Sequence, residues 1–119
     1  MSIWIVMSRH WPRAYLRAEL IERGFEAIGY ADLETVISAL QDSHVKKPGV
    51  IIIDLYKQLS DIKILKGLMH EHIAVILLLG SLQENSTLVT QYRWAAVMKR
   101  PLSIGAIADK AQEITAGRN

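Results

Sequence analysis

Apolar runs that alternate with amphipathic helical stretches are the feature that most constrains the fold of this chain. The clearest runs cover residues 3–6, 50–53 and 73–79, and the second leads directly into Asp54. Strands that are apolar throughout, rather than at every second residue, are typical of parallel sheets covered on both faces. The longest run is far shorter than the ~20 residues that a membrane span needs.

The order of the predicted elements is strict. Strands are predicted at residues 3–6, 25–30, 50–54, 73–80 and 95–98, with a helix after each of them. Gly24 is expected to end the first helix, and Asp32 and Ser103 are expected to cap the second and the fifth. The third and fourth helices are expected to follow Ser60 or Asp61 and Ser81. On the first helix, the expected core stripe consists of Ala14, Ala18 and Ile21, with Leu16 and Leu20 beside it.

This (βα)₅ pattern predicts one α/β domain over residues 1–119, with a doubly wound parallel sheet and right-handed crossovers. Half of the residues are hydrophobic and 22% are charged, which is ordinary globular composition. The 14 basic and 12 acidic residues are spread evenly, so we expect no direct nucleic-acid binding. The absence of cysteine excludes thiolate metal sites and cysteine nucleophiles, and together with the lack of a signal pattern it favours a cytoplasmic protein.

The acid at the end of the third strand is the first candidate for a functional site. In open α/β sheets, ligands bind beyond the carboxyl ends of the strands, where the strand order reverses. The expected neighbours of Asp54 are Met7 and Ser8 after the first strand, and residues 79–81 after the fourth. The alternative is that Asp54 only caps the following loop through an Asx turn. The pattern leaves both interpretations open.

Three phrases of the sequence carry a resemblance to a known family. They are "IVMSRHWPRAYLRAELIERGFEAIGYAD", "PGVIIIDL" and "VMKRPLSIGAIADKAQEI". With them, essentially the whole chain resembles the receiver domain of bacterial response regulators in two-component systems. The resemblance implies a flavodoxin-like fold with strand order 2-1-3-4-5. It also implies that Asp54 occupies the phospho-acceptor position and that Pro101 belongs to the turn after the fifth strand.

The chain departs from the family at the positions that serve phosphorylation. Receivers have two acids after the first strand to hold Mg²⁺, and here these positions are Met7 and Ser8. Mg²⁺ requires oxygen ligands in near-octahedral geometry, and a thioether is a poor ligand for it. With Asp54 as the remaining carboxylate, we expect weak Mg²⁺ binding and no cofactor. Mg²⁺ is expected as a cofactor only under the alternative in which Asp54 is phosphorylated.

Further departures concern the conformational switch. The switch positions in the fourth and fifth strands are Leu79 and Val97, where receivers have Ser or Thr and an aromatic residue. The family's Lys before the proline becomes Arg100. A guanidinium can pair bidentately with a carboxylate and keeps its charge. We therefore expect Arg100 to pair with Asp54 in place of the metal and to hold one conformation.

The resulting prediction is a degenerate receiver, or pseudo-receiver, in two-component, phosphorelay or transcriptional control. It is expected to act through a protein partner or output domain, not as an enzyme. By resemblance, the face formed by helix 4, strand 5 and helix 5 is a possible homodimer surface that includes Tyr92, Trp94 and Lys99. Inward packing of Trp94 is the alternative for that residue.

Two other functions stay open. A phosphorylatable receiver would accept a phosphoryl group on Asp54 from a histidine kinase despite the missing acids. A small α/β hydrolase would use Ser8, His10 and Asp54 as nucleophile, base and orienting acid, although the sequence contains no nucleophile-elbow motif.

Overall fold

A computed structural model describes residues 1–55, 72–80, 89 and 92–117 of the chain. Five parallel strands form one sheet with the order β2-β1-β3-β4-β5. The strands are β1 (Ser2–Val6), β2 (Glu26–Tyr30), β3 (Val50–Asp54), β4 (Ala74–Leu79) and β5 (Ala96–Lys99). Both the predicted fold class and the strand order are confirmed.

Three helices lie in the described ranges: α1 (His10–Glu22), α2 (Leu33–Gln41) and α3 (Ile104–Ala116). The last is the fifth helix of the sequence prediction, while the predicted third and fourth helices fall outside the described residues. Asp32 Oδ1 accepts a hydrogen bond from the Thr35 amide at 2.8 Å, and Ser103 Oγ accepts one from the Ala106 amide at 3.0 Å. Both predicted caps are confirmed. None of these described helices is long and apolar enough to cross a membrane.

The sheet divides the core into two layers, because successive side chains of a strand point to opposite faces. One layer joins the sheet to α2, and the other joins it to α1 and α3. The α2-side layer contains Trp4, Val6, Leu33, Val36, Ile51, Ile53, Leu77 and Leu79. The α1/α3-side layer contains Ile3, Ile5, Met7, Leu16, Leu20, Ile52, Leu78, Ile107 and Ala111. By the same alternation, Asp54 faces the α1/α3 side.

The predicted core stripe of α1 is wrong. Leu16 and Leu20 are fully buried, whereas Ala18 and Ile21 are exposed. Leu16 and Leu20 lie one turn apart, and their burial removes two large apolar side chains from water, whereas two members of the predicted stripe are small alanines. The helix is therefore rotated so that the leucines face β2 and α3.

Strand β2 begins one residue later than predicted. After Gly24, which has a φ of +94°, the Phe25 amide donates to the Leu20 carbonyl at 3.1 Å. Phe25 therefore completes the C-terminal turn of α1 instead of pairing in the sheet. A positive φ carries no steric penalty at glycine, so Gly24 ends the helix as expected.

Candidate functional site

The candidate site lies at the carboxyl end of the sheet, between β1 and β3. The chain order reverses here, because β1 has β2 on one side and β3 on the other. In the register of the two strands, Val6 is opposite Ile53, so Met7 follows beside Asp54. This is the topological switch point at which open α/β sheets bind ligands.

Asp54 is a buried carboxylate, with 2% of its side chain exposed. Arg100 Nη2 donates a hydrogen bond to Asp54 Oδ2 at 2.6 Å. A second guanidinium is close, since Arg9 Nη2 lies 4.0 Å from the same oxygen. A buried carboxylate is costly unless it is paired and hydrogen-bonded, and Arg100 provides both. The ion pair expected from the sequence is therefore present.

The backbone of β5 positions Arg100. Its amide donates to the Leu79 carbonyl at 2.9 Å, which ties the end of β5 to the end of β4. The peptide bond between Arg100 and Pro101 is cis. The side chain of Arg100 is 28% exposed, and its Nη1 atom is buried without a hydrogen-bond partner. Arg100 thus bonds Asp54 through Nη2, and Nη1 does not form the second hydrogen bond of a bidentate pair.

The residues next to Asp54 do not fit Mg²⁺. Met7 is buried and presents a thioether, while Ser8 is exposed and neutral. The turn between them and α1 is held by Arg13, whose Nη1 donates to the Met7 carbonyl at 2.7 Å. In the described part of the chain, no three His, Asp or Glu side chains are grouped as metal ligands. A hard dication prefers several oxygen ligands, whereas the described residues of this site offer one carboxylate, which already lies next to two cations.

The switch-equivalent positions contain aliphatic side chains. Leu79 is fully buried in the α2-side layer, which is the face opposite to that of Asp54. Val97 lies in β5 and is partly exposed. Neither residue supplies the hydroxyl or the aromatic ring that the resemblance implies at these positions.

Arg9 is the site residue that sequence analysis missed. It is the N-cap residue of α1 and follows Ser8 at the end of β1. A signal was available, because any residue directly after β1 lies at the same sheet edge as Asp54. Acids at this edge are the signal of a metal site, and Arg9 is a cation, which that signal does not include.

The residues of the predicted interaction face have two different environments. Tyr92 and Trp94 are half-buried and pack against the α2-side core. Their rings are edge to face, with centroids 5.7 Å apart. Lys99 is exposed at the end of β5. The inward alternative for Trp94 thus describes most of its packing, and Lys99 remains on the surface.

The arrangement expected of a hydrolase is not formed. Ser8 and His10 are both exposed, and His10 Nδ1 lies 3.4 Å from Arg13 Nη2. The His10 ring lies edge-on to the Trp11 ring, with centroids 5.1 Å apart. Asp54 pairs with arginine, and in the described chain no hydrogen bond joins it to His10. These contacts do not support a nucleophile–base–acid relay.

Comparison with solved structures gives strong similarity in fold. The receiver domain of the TMAO respiratory system response regulator TorR matches with a TM-score of 0.80 and 15% identity, covering 99% of this chain and 98% of that one. The receiver domain of the Francisella response regulator 1452 matches with a TM-score of 0.78 and 18% identity, covering 99% and 98%. An adenylate cyclase from Rhodopirellula baltica matches with a TM-score of 0.71 and 13% identity, covering 98% and 93%.

Sequence comparison adds no relative. No family model matches the chain, and no curated protein does. The structural matches lie below 20% identity, so they show the receiver-type, flavodoxin-like fold and leave function to the chemistry of the site.

Proposed function

We propose that this chain is a receiver-like regulatory domain of two-component or phosphorelay signalling, or of transcriptional control, that works without Mg²⁺-dependent phosphorylation. The observation that carries the proposal is the 2.6 Å contact between Arg100 Nη2 and Asp54 Oδ2. The ion pair supplies locally the positive charge that a metal supplies in an ordinary receiver. The domain is then a binding module and not an enzyme.

The chemistry of phosphoryl transfer supports this proposal. Such transfer depends on positioning the reactants and on neutralising the charge that develops on the oxygens of the phosphoryl group. Asp54 is 98% buried, one of its oxygens accepts a hydrogen bond from Arg100, and Met7 and Ser8 replace the metal-binding acids. A phosphoryl donor would meet Arg100 at one carboxylate oxygen, and the described residues after β1 would provide no metal-binding carboxylate beside it.

In this proposal, the signal passes by protein contact. The ion pair fixes the carboxyl end of β3 relative to the end of β5, next to the surface that includes Lys99 and α3. We propose that this surface, together with the exposed parts of Tyr92 and Trp94 ahead of β5, binds an output domain, a partner protein or a second copy. Arginine, tyrosine and tryptophan are the side chains enriched at such interfaces.

The test is reaction with small phosphoryl donors. The protein is incubated with acetyl phosphate and Mg²⁺, or with beryllofluoride and Mg²⁺, and followed by intact mass and by amide NMR spectra. We expect no mass increment and no spectral change. A phosphoryl adduct that disappears in Asp54→Asn would instead establish the alternative, a phosphorylatable receiver.

A matched variant makes a negative result informative. In Arg100→Lys, the residue before Pro101 has the family's usual side chain, while Met7 and Ser8 still replace the acids. We expect it to remain unreactive, because the metal ligands are missing independently of Arg100. Gain of a Mg²⁺-dependent adduct in this variant would show that Arg100 alone prevents the reaction.

A further inference from the structure

A groove of about 410 Å³ opens between the start of α1 and the start of α3. The floor is apolar and comes from the residues after β1 and β5 and from α3. It consists of Met7, Leu102, Ile104 and Ile107. The proposed receiver role does not require such a groove.

One wall of the groove is aromatic. Trp11 and Tyr15 lie one turn apart on α1, and they are 65% and 60% exposed. Their rings are stacked, with centroids 5.9 Å apart and an angle of 28° between the planes. Large aromatic side chains that remain exposed at a concave surface indicate a binding site more than a packing site. The wall and the floor together form an aromatic-lined apolar groove.

The polar atoms of this wall favour a ligand that accepts hydrogen bonds. Trp11 Nε1 can only donate, and the Tyr15 hydroxyl can donate as well as accept. In the described part of the chain, neither atom has a hydrogen-bond partner. The described lining contains no carboxylate, side-chain amide or aliphatic hydroxyl. Its two guanidiniums, those of Arg9 and Arg100, contact Asp54, so the donors considered for the ligand are those of the aromatic rings.

We propose that this groove binds a proline-rich segment of a partner protein in the polyproline II conformation. Proline has no backbone N–H, so such a segment offers carbonyl acceptors without the matching donors. Polyproline II has no internal hydrogen bonds, and its carbonyls are therefore free to accept from Trp11 Nε1 and the Tyr15 hydroxyl. Aromatic-lined grooves are the usual binding sites for this conformation.

The spacing of the two rings fits the same ligand. Polyproline II rises about 3.1 Å per residue, so residues two apart are separated by about 6 Å along its axis. The ring centroids of Trp11 and Tyr15 are 5.9 Å apart. Two pyrrolidine rings of one segment can therefore contact the two aromatic rings at the same time, and the third edge of the helix stays in solvent.

Other kinds of peptide fit the groove less well. An amphipathic helix uses its backbone carbonyls internally and offers none of them to the ring donors. An added β-strand needs an exposed strand edge, whereas the described lining comes from α1, α3 and the turns before them. An acidic peptide would rely on Arg9 and Arg100, which already contact Asp54.

The test is NMR titration of the whole chain with a peptide of about ten prolines, followed through the indole N–H signals of its three tryptophans. The Trp11 signal is identified by its absence in Trp11→Phe. A Gly–Ser peptide of the same length and an amphipathic helical peptide are titrated in parallel. We expect the proline peptide to shift the Trp11 signal and to bind at least about tenfold more tightly than the Gly–Ser peptide, which is flexible and costs more entropy to order. No shift of this signal at millimolar peptide, equal affinity of the Gly–Ser peptide, or tighter binding of the helical peptide would overturn the proposal.

Variants locate the binding site. Trp11→Ala is expected to weaken binding of the proline peptide at least about fivefold, since tryptophan is a frequent anchor at interfaces. Trp11→Phe and Tyr15→Phe keep an aromatic ring and remove one donor, so each should weaken binding about two- to threefold. Ile21→Ala removes exposed apolar surface from the same helix outside the groove and is the matched control. Binding that Trp11→Ala reduces no more than Ile21→Ala, or that both phenylalanine variants leave unchanged, would refute the assignment.

Discussion

Removal of the Arg100 charge is the most direct perturbation of the site. In Arg100→Gln, the Asp54 carboxylate stays buried, and its nearest described cation becomes Arg9 at 4.0 Å. Breaking a buried ion pair by removing one partner costs about 3–5 kcal/mol, because the other charge is left uncompensated. Arg100 is 28% exposed, so solvent screening reduces this cost. We expect a loss of about 2–3 kcal/mol in the free energy of unfolding.

The remaining arginine should not compensate for the loss. At 4.0 Å and in a water-like dielectric, a pair of unit charges gains only about 1 kcal/mol. Arg9 is 50% exposed, so this weak regime applies to it. Arg9→Gln is therefore expected to cost below about 1 kcal/mol, clearly less than Arg100→Gln. Both variants remove one positive charge near Asp54. The difference between their losses in the free energy of unfolding therefore reports the effect of burial and distance.

A double-mutant cycle measures the pair itself. Urea unfolding of wild type, Arg100→Gln, Asp54→Asn and the double variant gives the coupling energy, which we expect at about 1.5–3 kcal/mol. Asp54→Asn removes the buried charge, so the double variant should lose much less than the sum of the single variants. Coupling below about 0.5 kcal/mol, or an Arg100→Gln effect no larger than that of the exposed Arg93→Gln, would refute the reasoning.

Three further outcomes are expected. Asp32→Ala should destabilise by about 1 kcal/mol, because Asp32 caps α2. The hydrogen bonds from Thr35 lower the pKa of Asp32. The stability difference between wild type and Asp32→Ala should therefore be full above about pH 5 and shrink as acid protonates the carboxyl in the folded protein. Urea unfolding at several pH values would check this. Leu20→Ala should cost about 2–5 kcal/mol in the same assay, and Ile21→Ala, on the exposed side, below about 1 kcal/mol. Ser8→Asp combined with Arg100→Lys should strengthen Mg²⁺ binding, measured by calorimetry, and an unchanged affinity would contradict our account of the donor set.

The sequence predicted most of the sheet because its strands are apolar without interruption. Val50–Asp54 and Ala74–Leu79 have no competing helical interpretation at their lengths, and buried parallel strands produce this pattern. The phase of α1 was harder to predict. Its apolar residues surround much of the helix, and the contacts with β2 and α3 decide which of them, Leu16 and Leu20, turn inward.

At the site, sequence predicted the opposite charges but not their geometry. Asp54 was identified by its place at the end of a strand, and Arg100 by the resemblance, as the residue in place of the family's Lys before Pro101. The use of a single terminal nitrogen, and the approach of Arg9, depend on side-chain conformations that no spacing rule provides. The exposed stack of Trp11 on Tyr15 was likewise unpredicted, since large aromatic residues are usually well buried.

The contact between Arg100 and Asp54 also has a consequence for the sheet as a whole. Asp54 ends the central strand β3, Arg100 follows the outermost strand β5, and β4 lies between them. The two side chains therefore bridge over β4 and connect the middle of the sheet directly to its rim. A binding event that separated these two charges would remove this direct link, while β5 stayed joined to β4, and β4 to β3, through their backbone hydrogen bonds.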